Sequence, residues 1–235
     1  MQKNIQIDGV NAPIILARRK GTKSLRISIK SDGSIRVGVP YGIPDFMAKK
    51  FVESKTDWIN EHVKPRIFID NNAHIGKNHQ IIISVTESLR HSTKITPTEI
   101  KISLPESIKI ESLKVQNILR LACEKALQME AETLLLQRLE YISHKHGIAY
   151  NSGSIKKLKS RWGACDNRNN ISLNSYLIQL DWKLIDYVIC HELAHTKHHH
   201  HQPSFWHFLS EIYPDYKNAK KEIKTKPTDI ITSKY

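Results

Sequence analysis

Residues 191 to 195 read His-Glu-Leu-Ala-His. On a helix, two histidines four apart sit roughly 40° apart around the axis, so both imidazoles can reach one metal ion from the same face. The intervening Glu192 projects beside such an ion and can take a proton from a bound water, the arrangement of zinc-dependent hydrolases. The bland alternative is a histidine-rich helix that binds no ion.

A third ligand decides between the two. His198 and His199 fail if the helix simply continues, because His191 to His199 spans about 12 Å at 1.5 Å per residue. A zinc ion with bonds of about 2.1 Å is not reached by all three from one straight helix. The chain must leave the helix and return. Pro203 suits the first turn of a new helix, and Phe205, Phe208, Leu209 and Ile212 follow at helical spacing. His200 and His201 fall in the turn between. His201, six residues beyond His195, is taken as the third ligand, with His200 as the second choice. The spacing matches the metzincin pattern at its ligands, but His198 stands where that pattern has its turn-making Gly. At most one residue of the run His198 to His201 is needed for the ion; such a run could also gather metals loosely.

These side chains need elements to position them. Asp181 is a capping residue ahead of apolar Trp182, Ile185, Val188 and Ile189, and Val188, His191 and His195 share one stripe, which predicts a helix anchored in the core. Cys190 points about 100° away from His191 and reads as a small core residue. Before this helix, residues 154 to 174 predict two short strands joined by the polar turn Asp166 to Asn170. Arg161, Trp162 and Gly163 would form a wall of the cleft that binds substrate. From Glu111 to His146 runs one long amphipathic helix, stopped by Gly147, with His144 and His146 as cations at the negative end of its dipole. Tyr213 or Tyr216 could donate a proton to an oxyanion, and spacing selects neither.

Ser160 to Cys165, Asn169 to Asn174, Tyr187 to His195 and His201 to Trp206 together resemble the YgjP-like metallopeptidase family, related to the SprT and WLM proteases, among them Spartan, which acts on DNA-protein crosslinks. The resemblance is strongest over about 155 to 217. It implies one zinc ion per chain held by His191, His195 and His201, with Glu192 as general base. This chain has His200-His201-Gln202 where the family often has Asn-His-Ser.

Lys plus Arg number 36 against 23 Asp plus Glu, a formal net charge of +13. Such an excess keeps open a contact with DNA or another polyanion through a basic surface. An AT-rich coding sequence would produce the same abundance of Lys, Ile and Asn. The first residues lack an apolar signal segment, and nowhere do 18 apolar residues run together, so a cytoplasmic protein without a membrane span is expected. Three cysteines without compact spacing make a disulfide framework improbable.

In the N-terminal half, residues 4 to 39 alternate as strands do. Leu25, Ile27 and Ile29 face Ile35, Val37 and Val39 across an Asp32-Gly33 hairpin turn. Pro44 opens a helix to about Val63, and further strands are expected at 79 to 85 and 99 to 104. The whole is read as α+β. A β-rich N-terminal domain with one helix (1–105) precedes a zincin-like metallopeptidase domain (106–226), which has a long helix, a short sheet and the His-Glu-x-x-His helix; a flexible tail (227–235) follows. The function expected is a zinc-dependent peptidase cleaving protein or peptide substrates, with nucleic-acid-associated proteins as candidate targets. Its rivals are a metal-dependent nucleotide phosphoanhydride hydrolase and a non-catalytic DNA-associated or metal-binding module. Oligomeric state is not legible.

Overall fold

The computed structural model describes residues 2–10, 12–18, 20–29, 34–62 and 69–228. Among them the chain is α+β, with three small sheets and six α-helices, none of the helices long and apolar enough to cross a membrane. It divides into two compact units, 1–67 and 68–235.

The first unit contains strands β1 (Gln2–Ile5), β2 (Ile14–Arg18), β3 (Arg26–Ile29) and β4 (Ile35–Val39), then helices α1 (Asp45–Glu53) and α2 (Thr56–His62). The sheet order is β1-β2-β4-β3, with β2 and β4 parallel. The expected pairing of β3 with β4 is present, Ile27 opposite Val37 and Ile29 opposite Ile35; the Asp32-Gly33 turn lies outside the described residues. One helix was expected after Pro44, and two are found. The Ser54 hydroxyl donates to the Phe51 carbonyl and that of Thr56 to the Glu53 carbonyl, both at 2.9 Å, so side chains compete for the carbonyls where the helix breaks. The expected end of that helix near Val63 also lies outside the described residues. Ile14, Leu16, Ile35, Val37 and Val39 pack with Ala48, Val52 and Ile59 of the helices in a core of their own.

The second unit opens with β5 (His74–Ile75), β6 (His79–Thr86), β7 (Ser92–Ile95) and β8 (Glu99–Pro105), ordered β5-β6-β8-β7. Helix α3 (Leu113–His146) follows. The Ser112 side chain accepts the Val115 N–H at its start, and Gly147, with φ of 63°, ends it in the left-handed conformation as its position in sequence predicts. Next come β9 (Ser152–Lys156), β10 (Gly163–Cys165) and β11 (Asn170–Asn174), a 3-10 turn at Ser175–Gln179, and helices α4 (Trp182–His195), α5 (Pro203–Ile212) and α6 (Tyr216–Ile223). Three strands thus stand where two were expected. β9 runs parallel to β11, and β10 is the antiparallel edge. Asp166 shapes the turn between β10 and β11, its Oδ1 accepting the N–H groups of Arg168 and Asn170 at 2.9 Å each.

The domain boundary expected after Pro105 lies inside this unit. Ile100, Ile102 and Leu104 of β8 share one core with Leu119, Leu127, Leu135 and Leu139 of α3 and with Ile185 and Ile189 of α4. A buried polar clasp adds to it. Glu130 on α3 accepts the Lys77 N–H at 2.6 Å and meets His79 Nδ1 at 3.2 Å, while His79 Nε2 donates to the Thr96 carbonyl at 3.0 Å. Gly76, at φ of 66°, leaves room for that carboxylate, which a Cβ there would overlap. Of the expected tail, Thr228 donates its hydroxyl to the Lys159 carbonyl; residues 229–235 lie outside the described residues.

Candidate metal centre

Helix α4 carries two of the three histidines. Leu184, Ile185, Val188, Ile189 and Leu193 are buried along it, so its last turn, with His191 and His195, is fixed against the core. Asp181 stands at the N-cap, but there its carbonyl rather than its side chain serves the helix, accepting the N–H groups of Leu184 and Ile185. Trp182, expected among the inward apolar positions, is 41% exposed. Its ring packs against the cations of Lys77 and Arg138 instead, an amphipathic solution for a large ring at a helix start.

After His195 the chain turns, and Pro203 opens α5 at its first position as expected. The turn returns His201 to the helix. Its Nε2 lies 3.1 Å from Nε2 of His191, and one ring nitrogen from each of His191, His195 and His201 lies within 4.8 Å of the others. His200, the second choice, is outside this group, its Nδ1 accepting the Gln202 N–H at 3.4 Å. His198 and His199 are outside it too. Phe205 of α5, fully buried, stands against all three imidazoles with ring centroids 5.0, 4.6 and 4.8 Å away.

The chemistry of this set fits a metal ion. The His198 carbonyl lies 3.0 Å from His195 Nδ1; a carbonyl only accepts, so the proton sits on Nδ1 and the Nε2 lone pair is free to ligate. Burial, reinforced by His195, His201 and Lys220, holds His191 down at about 3. Burial lowers His195 and His201 as well, so the rings favour the neutral, ligating form at neutral pH. Two imidazole nitrogens 3.1 Å apart need a proton or a cation between their lone pairs. Three nitrogen donors also match the ligand count of catalytic zinc sites, which keep a fourth position for water or substrate.

Glu192 is 6% exposed, and burial pushes its carboxyl up to about 8 against an opposing pull from Arg161. The carboxylate lies on β10: a Cβ added to Gly163 would fall 2.6 Å from Glu192 Oε1. Of the expected cleft wall, Gly163 is therefore the place where sheet and helix touch, and Arg161 is an exposed cation near Glu192. Trp162 is half-buried and packs on the core. Tyr213 donates its hydroxyl to the Lys183 carbonyl at 2.9 Å, and Tyr216 stacks on Trp206. Cys190 is buried in the core, its thiol pushed up to about 12 by burial.

A family model, the YgjP-like metallopeptidase domain, matches residues 23–226. The chain belongs to the YgjP-like metallopeptidase family. Membership carries a metal-dependent peptidase activity and a divalent metal with it. The match takes in most of the first unit, well beyond the stretch 155 to 217 where the resemblance is strongest. No curated protein and no solved structure matches the chain.

Sequence reading passed over three residues of this YgjP-like site. Asn174 is fully buried, its amide donating to the carbonyls of Leu158 and Arg161 at 2.9 Å each and its backbone N–H to that of Trp162 at 2.8 Å, which holds the segment leading into β10. It stood in the sequence at the end of a strand and within a run that carries the family resemblance, and neither gave it a role. Phe205 was visible as an apolar helix position, but not as a neighbour of all three histidines. Trp206 donates its indole N–H to the His201 carbonyl at 2.9 Å, and its proximity to His201 in sequence was the available clue.

Proposed function

We propose that this chain is a zinc-dependent peptidase in which His191, His195 and His201 hold the ion and Glu192 is the general base. The convergence of three imidazole nitrogens within 4.8 Å, beside a buried carboxylate, carries the reading. Bound there, zinc would lower the pKa of water toward 7 and polarise the scissile carbonyl.

The chain supplies the remaining work. Glu192 takes a proton from the attacking water and returns it to the leaving amine. Burial raises that carboxyl in the metal-free protein, and the charge of a bound ion would draw it back down toward the working pH, where a group that accepts and then gives a proton is most effective. Packing against Gly163 limits where that carboxyl can lie. Among the described residues strand β10 pairs with β11 on one side only, so its other edge offers backbone groups to an extended peptide by strand addition. Arg161 and Trp162 lead into that strand. The net charge of +13 supports substrates that are themselves held on a polyanion such as nucleic acid.

The test is zinc content per chain and cleavage of an unstructured protein such as casein, for wild type and Glu192→Gln. One zinc in both, with turnover in the wild type alone, is the expected result. Equal turnover in a folded, zinc-loaded Glu192→Gln protein would overturn the role of Glu192.

A further inference from the structure

His201 differs from its two partners in how it is held. His191 and His195 sit on a helix whose core face is buried, whereas His201 is an exposed residue in the turn before α5. Its carbonyl lies outside the hydrogen bonding of α5, whose first N–H groups, those of Phe205 and Trp206, go to Gln202. Left to itself, such a residue would sample many rotamers, and the entropy of ordering it would weaken any ion it bound.

Trp206 meets His201 at two points. Its Nε1–H donates to the His201 carbonyl at 2.9 Å, and its ring stacks on the His201 imidazole with centroids 5.4 Å apart and planes 22° from parallel. One contact fixes the main chain and the other the plane of the ring. Trp206 is itself held by α6. Tyr216 stacks with it at 5.7 Å and 21°, and the Lys220 ammonium lies 3.7 Å from its ring centroid, close enough for a cation–π contact.

We propose that Trp206 is the positioning residue of the metal centre: it holds His201 in the ligand set through backbone and ring together, with Lys220 and Tyr216 of α6 as its support. This inference rests on the three-histidine reading of the site. It makes α6, which contributes none of the three histidines, part of the machinery that sets metal affinity.

The experiment is competition for zinc between the full-length protein and a chelator, on wild type, His201→Ala, Trp206→Phe and Tyr216→Leu, with the thermal melt of each metal-free protein alongside. Trp206→Phe keeps an aromatic ring and deletes the N–H donor. Loss of a partner that orients a ligand typically costs 10- to 100-fold in metal affinity, so zinc binding should weaken by about that factor while the melt stays close to wild type. His201→Ala should weaken it further, and Tyr216→Leu, which removes the ring stacked on Trp206, by about two- to ten-fold. Cobalt(II) in place of zinc gives a second readout, since its visible absorption follows ligand geometry and should change in Trp206→Phe. If His201→Ala binds zinc as tightly as wild type, the metal-site reading itself falls. If His201→Ala weakens binding and a folded Trp206→Phe does not, the positioning role alone is overturned. Should Trp206→Phe fail to melt cooperatively, Tyr216→Leu decides, and unchanged affinity there overturns the proposal.

Discussion

Glu192 fills the space that a side chain on residue 163 would occupy. A Cβ at Gly163 would lie 2.6 Å from Glu192 Oε1 and 2.7 Å from its Cγ, both closer than atoms of neighbouring groups can approach. Strand β10 and helix α4 can approach this closely because residue 163 has no side chain.

Replacing that glycine should therefore displace the Glu192 carboxylate without touching the histidines. Gly163→Ala is expected to bind zinc as the wild type does and to lose roughly 100-fold in kcat, the scale of loss that a misplacement of about 1 Å can cause. Metal content and casein cleavage measured on the same preparation check this.

Glu192→Gln is expected to bind zinc normally and to lose on the order of 100- to 10,000-fold in turnover, the contribution of a positioned general base. Retained activity would remove the carboxylate from the mechanism.

The same residue leaves a mark on stability in protein stripped of metal. Its folded carboxyl sits at about 8 and its unfolded one near 4.3, so between these values the fold retains a proton that the unfolded chain has released. Stability from this group is full below the lower value and declines as pH rises toward 8. His191, held at about 3 by burial, acts in the opposite sense, adding stability as pH rises from about 3 to 6.5. Between pH 6.5 and 8 the glutamate term is left, and it costs on the order of 2 kcal/mol. Melts of metal-free wild type at these two pH values should show the decline, and Glu192→Gln should lack it.

The clasp around Glu130 should matter to the fold and not to metal binding. Glu130→Leu strands the Lys77 N–H and the His79 ring inside the core, a change worth about 3 kcal/mol or more. For a chain of this size the melting temperature should drop on the order of 10 °C, with zinc stoichiometry unchanged.

Local chemistry was legible in the sequence, and contacts between distant residues were not. The i, i+4 spacing of His191 and His195 and the helix-opening Pro203 pointed to a third imidazole returning from the turn, because those constraints act over a dozen residues, and they left His201 and His200 both open to it. Helix α3 was legible from its apolar stripe and its glycine stop. The meeting of Gly163 with Glu192 could not be read, since it depends on how a strand and a helix 29 residues apart come together. Trp182 misled because an apolar residue at helical spacing looks inward until its cationic neighbours are known. The short strands β5 and β7 give too few residues for alternation to register.

Helix α3 runs for 34 residues, about 51 Å at 1.5 Å per residue, and it is the common wall of two sheets. That sets where the chain can be cut. A fragment beginning at residue 106, the place that sequence pattern recommends, would keep all three histidines and lose β5 to β8. It would strip Gln116 of its hydrogen bonds with Ile69, and Glu130 of those with Lys77 and His79. The apolar flank laid bare on α3 would drive such a piece to self-associate. The cut that respects the packing falls at residue 68, so the smallest portable form of this three-histidine cluster carries the upstream sheet with it.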